Sequence, residues 1–116
     1  MPANRILDLY ASSVSQNTEK ALANRLDSSV DAIKSTDEVR RRVVGILGAT
    51  SNTGYIVARL DQQPIITIDM GALNAATQPI EVDIEVPSGR ELAFAALSTS
   101  GTGAVAVSVL YEESGG

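Results

Sequence analysis

Between Pro79 and Glu113 the chain alternates apolar and polar positions. Ile80, Val82, Ile84 and Val86 are interleaved with Glu81, Asp83 and Glu85. That period of two predicts a strand with branched apolar side chains on one face and three carboxylates on the other. Pro87-Ser88-Gly89-Arg90 reads as a tight turn, with proline fixing φ and glycine accepting a positive φ. The next strand, 91–97, is apolar on both faces: Leu92, Phe94 and Ala96 on one, Ala93, Ala95 and Leu97 on the other. A polar loop at 98–103 leads to the last strand. There Val105, Val107, Val109 and Tyr111 share one face, and Ala104, Ala106, Ser108 and Leu110 share the other. The larger side chains suit the core of a sandwich or barrel, and the smaller ones admit close approach by a helix, a second sheet or another subunit.

The same signals run upstream. Residues 55–60 and 64–70 predict a hairpin around a turn at 61–64, and 42–47 predicts a short apolar strand. The segments 48–54 and 71–78 read as loops, the second with room for one helical turn. The strands expected are therefore 42–47, 55–60, 64–70, 80–86, 91–97 and 104–112. No long helical pattern lies between them, which predicts an antiparallel six-stranded sandwich or small jelly-roll-like barrel.

The N-terminal third reads differently. Ile6, Tyr10, Val14, Ala21, Leu22, Leu26, Val30 and Ile33 recur largely at three- or four-residue steps. That spacing predicts helix over 4–34, broken near 16–18, with Asn17 or Thr18 capping a second segment. The expected class is mainly β with N-terminal α. A helical arm spans 1–38, a β-sandwich domain 39–113 and a flexible tail 114–116. A lone helix of this length is marginal in water, so its stripe needs a partner, either the chain's own sheet or a second subunit. Ile6, Tyr10, Val14, Leu22, Leu26, Val30 and Ile33 are the candidate oligomer contacts.

Composition narrows the chemistry. The 116 residues include no histidine, cysteine or tryptophan. Serine–histidine and cysteine–histidine constellations are excluded, as are thiolate or imidazole metal sites. No active site, cofactor or metal site is expected. Glu81, Asp83 and Glu85, spaced about 6–7 Å apart along a strand, lack the loop that wraps a hard cation, and read as a solvent-facing acidic edge. Arg40, Arg41 and Arg42 form the basic run. In a chain of net charge −5 they read as electrostatic partners for that acidic row, in the same chain or the next copy, and argue against nucleic acid as the partner. Gly48 to Gly54 lacks the spacing of a phosphate-binding glycine loop. No apolar run is long enough to span a bilayer, and no secretory signal is evident.

The stretch Ile84-Glu85-Val86-Pro87-Ser88-Gly89-Arg90 leads into an apolar strand, a Ser/Thr/Gly loop and a closing strand ending in Tyr111. It resembles the C-terminal half of small jelly-roll or β-sandwich capsid and decoration proteins. The resemblance implies a self-assembling structural protein, a homo-oligomer that also contacts other shell proteins, in a virion or the cytoplasm. The alternative is a non-catalytic module that binds carbohydrate or Ca²⁺ through the loops at 48–54, 71–78 and 98–103.

Overall fold

Alternation of period two governs the chain from its N-terminal end, and strands dominate the fold. A computed structural model describes residues 3–24, 26–27, 29–50, 53–99 and 101–115. The strands are β1 (Ala3–Val14), β2 (Glu19–Ala21), β3 (Ala32–Lys34), β4 (Val39–Thr50), β5 (Gly54–Leu60), β6 (Gln63–Asp69), β7 (Ile80–Val86), β8 (Glu91–Ser98) and β9 (Gly103–Gly115). One short helix, α1 (Met70–Ala75), joins β6 to β7. The Asp69 carboxylate caps it by accepting the Gly71 N–H at 2.6 Å, while Met70 and Leu73, three apart, are buried.

The strands form two antiparallel sheets. Sheet I has the order β1-β9-β4-β7, and sheet II the order β2-β8-β5-β6 with β3 also on β8. β2 pairs with Ala95 to Leu97, and β3 with Glu91 to Ala93. They are two halves of one interrupted edge strand. The pairings β1 with β9, β2 and β3 with β8, β4 with β7, and β5 with β6 are nested inside one another. One buried cluster takes side chains from both sheets, including Leu9, Ile46, Val86 and Val107 from sheet I and Ile56, Leu92 and Phe94 from sheet II. The radius of gyration, 13.6 Å, is close to the roughly 13 Å expected of a folded domain of this length.

The helical arm expected over residues 4–34 is not seen among the described residues. Residues 3–14 are β1, paired with β9 from Ala3 opposite Glu113 onward. Leu7, Leu9 and Ala11 are buried, while Ile6, Asp8 and Ser12 are exposed. The steps from Ile6 to Tyr10 to Val14 fit a helix, but four is also twice two, so the same residues share a strand face. Leu7 and Leu9 decide between the periods. Val14 turns inward because the register shifts between Ala11 and Val14.

The segment between β2 and β3 ties the two sheets together. The Leu22 N–H donates to the Phe94 carbonyl at 3.0 Å, while Tyr10 and Ala23 exchange backbone hydrogen bonds at 2.8 and 3.4 Å. Leu22 and Ile33 are thereby buried. Asn24 Oδ1 then accepts the N–H groups of Leu26 and Asp27 at 2.9 and 3.1 Å, making an Asx turn. At the other end of the chain, Ser114 and Gly115, expected as part of a loose tail, pair with Arg40 and Val39.

On the outer face of sheet II, Arg59 grips Glu19 with two hydrogen bonds of 3.1 and 2.7 Å. Glu19 pairs opposite Leu97, and Arg59 opposite Ala93, so the ion pair spans the row holding Ala95 and Val57. Both of those residues are buried. The small-residue face of β8 is thus covered by the chain's own side chains. The hydrogen bond to Glu19 raises the Arg59 pKa above its ordinary value.

Candidate functional site

Among the described residues no strand of the chain is layered on the outer face of sheet I. Paired residues share a face, and Val105, Val107 and Val109 point into the core. Their alternates therefore point outward. Across β1, β9, β4 and β7 the outward rows are Asn4, Glu112, Arg42 and Glu85, and then Ile6, Leu110, Gly45 and Glu81. Asp8, Ser108 and Leu47 follow, then Tyr10, Ala106 and Ala49. The register of β4 shifts between Val43 and Gly45, which places Val44 as an extra residue and keeps Ile46 directed inward. Ile6 is 66% exposed, and Val44, Leu47 and Leu110 are half-buried.

Where β1 meets the Asx turn, an open groove of about 400 Å³ is lined by Asp8, Tyr10, Asn24, Leu26, Ala106 and Ser108 among others. The Ser108 hydroxyl donates to Asp8 Oδ1 at 2.7 Å. Leu26 stands at the rim, 95% exposed. Held on a hydrogen-bonded turn, it presents an apolar side chain to solvent.

The opposite end of the face is charged. Arg40, Arg41, Arg42, Glu85, Glu112 and Ser114 surround a shallow depression of about 210 Å³. Arg42 Nε lies 3.3 Å from Asp83 Oδ1, with both side chains largely exposed. Such a pair contributes little to stability. Arg41 points the other way. It reaches Glu113 at 3.7 Å and donates to the Lys34 carbonyl, and Glu113 also takes Arg5 at 3.2 Å. Among the described residues Arg40 Nε is buried without a hydrogen-bond partner, and Glu112 has no ion-pair partner within the chain.

The residues singled out from the sequence are divided by the fold. Val14, Leu22 and Ile33 are spent on the core, whereas Ile6, Leu26 and Val30 remain exposed and Tyr10 is half-buried. Arg42 is brought to the acidic strand, cross-strand from Glu85 and in contact with Asp83. Glu81, Asp83 and Glu85 are all exposed. Leu47, Glu112 and the turn at Asn24 were missed. Glu112 could have been found by extending the outward period of β9, but Leu47 falls off the period set by Arg42 and turns outward only because Val44 is an extra residue in β4. The turn at Asn24 is local, but its place in the groove depends on where β1 lies, which no local pattern gives. The three loops proposed for ligand binding meet at one end of the molecule. Thr53 accepts the Thr99 N–H through its carbonyl at 2.8 Å, and Asn74 bonds the backbone and hydroxyl of Thr50. Residues 51, 52 and 100 of those loops lie outside the described residues. No group of acidic residues placed to hold a metal ion, and no helix long and apolar enough to cross a membrane, occurs among the described residues.

No protein-family profile, curated protein or solved structure matches the chain.

Proposed function

We propose that this protein is a structural subunit that assembles with copies of itself, as a jelly-roll component of a virion-like shell. The nested pairing supports a jelly roll. If β2 and β3 count as one edge strand, eight strands wrap as a single folded-over hairpin into two four-stranded sheets. That architecture is also used by lectins and enzymes, so it does not by itself assign a role. The observation that carries the assembly reading is the outer face of sheet I. Ile6 and Leu26 are exposed and Leu47 and Leu110 half-buried on this side of the molecule, and exposed apolar surface of this kind marks an interface. The chain has no histidine or cysteine, so neither imidazole nor thiol chemistry is available to this face.

The experiment is sedimentation velocity and static light scattering over a concentration series into the millimolar range. Reversible or stable self-association is expected. A monomer throughout would overturn the reading.

A further inference from the structure

The two central columns of the outer face are unlike in a matched way. Along β9 lie Glu112, Leu110, Ser108 and Ala106. Opposite them along β4 lie Arg42, Gly45, Leu47 and Ala49. The rows pair an anion with a cation, Leu47 with the smaller Ser108, and two methyl groups, while at Gly45 the place of a side chain is filled by Pro79 of the same chain. We propose that a second copy of this chain docks face to face on sheet I. The twofold axis runs parallel to the strands, between β4 and β9, so that Arg42 meets the partner's Glu112. This rests on the assembly reading and names the docking mode.

Charge selects that axis. A face-to-face dimer has two in-plane choices. An axis perpendicular to the strands keeps each column over itself. If it passes through the charged row, Arg42 faces the partner's Arg42 and Glu112 the partner's Glu112. If it passes elsewhere, the charged end lands on methyl groups and its ions are desolvated without partners. The parallel axis exchanges the two columns and leaves the rows in place. Glu112 then lies over the partner's Arg42, Leu110 over the partner's Gly45, and Leu47 over the partner's Ser108. Facing sheets cross at about −30°, so the register holds best along these central strands.

The rim fits the same arrangement. The exchange carries Leu26 from the β1 side of one copy to the β7 side of the other. There β7 ends at Ile80, level with Ile46, and sheet I is only three strands wide beside Leu47 and Ala49. The exposed leucine would cover that corner.

The test is a pair of charge reversals, Arg42→Glu and Glu112→Arg, measured apart and mixed by sedimentation and native mass spectrometry. Each variant alone is expected to lose self-affinity by more than about tenfold. The mixture should regain it as heterodimers, because both contacts between unlike copies are again of opposite sign. Repair within one chain cannot produce that rescue. Wild-type association should also weaken as salt is raised. If both variants associate as the wild type does, or the folded mixture stays monomeric, the docking mode is overturned while assembly stands. A wild-type monomer would remove both readings. Should either reversal fail to fold, Leu47→Glu carries the readout, since Leu47 lies on the outer face: loss of dimer in the folded variant supports the interface, and retention overturns it.

Discussion

Asp61 and Gln62 join β5 to β6 with φ of 48° and 74°. Leu60 pairs with Gln63, so this is a two-residue hairpin loop with both residues left-handed, the geometry that favours Asn-Gly or Asp-Gly. Asp61 is anchored there, since its carboxylate accepts hydrogen bonds from Arg90 Nε and the Glu91 N–H. Gln62 contributes only its carbonyl, to Arg59 at 3.1 Å. Gln62→Gly removes left-handed strain worth about 1–2 kcal/mol and adds an unfolded-state entropy cost of about 0.5–1 kcal/mol. A net gain and a melting temperature higher by about 2–5 °C are expected by calorimetry. A second residue-scale effect is pH-dependent. Ser29 donates its hydroxyl and N–H to Asp27 at 2.6 and 3.1 Å, holding that carboxyl below its ordinary range. A depressed folded pKa means that the turn's support is present above the unfolded value of about 4 and is lost as pH falls through the folded value. The Ser29 amide resonance should therefore titrate below that point and stay constant near neutrality. A midpoint above it would contradict the hydrogen bonds.

At the scale of elements, β1 is where helix and strand periods compete, and mutation separates them. Leu9 lies off the helical stripe but is buried, whereas Ile6 lies on the stripe and is exposed. Leu9→Ala should cost about 2–5 kcal/mol, the range for emptying a core leucine site. Ile6→Ser should change stability by less than about 0.5 kcal/mol in urea titrations of dilute monomer. The reverse order would restore the helix. The contrast also shows what was legible. β7, β8 and β9 were readable because apolar residues recur at every second position and the turns carry proline or glycine. β2 and β3 are three residues each and owe their form to β8, a partner 57 to 78 residues away that no local pattern announces. The outer face was half legible. The alternation separated Ala106, Ser108 and Leu110 from the core valines, but their alignment with Arg42, Gly45 and Leu47 depends on the register shift in β4.

At the scale of the whole molecule, the nested pairing makes the first and last strands neighbours. β1 supplies Leu7, Leu9, Ala11 and Val14 to the core, and the β2–β3 edge adds Leu22 and Ile33. Each fully buried aliphatic side chain stabilises by about 1.5–3 kcal/mol, so together they match or exceed the 5–15 kcal/mol net stability of an ordinary domain. Their removal also strips the free edges of β9 and β8. A fragment of residues 39–116, which the alternation alone presents as a complete sandwich, is therefore expected not to fold. It should show no cooperative thermal transition and collapsed amide dispersion in NMR spectra, whereas the full chain is expected to show both a transition and dispersion. The comparison bears on assembly as well. Deleting the N-terminal third would abolish the proposed association simply by unfolding the chain, so only substitutions on the outer face of sheet I can test the proposed docking. A fragment that melted cooperatively would mean that β1 is dispensable to sheet I, and that the nested order of strands does not hold the molecule together.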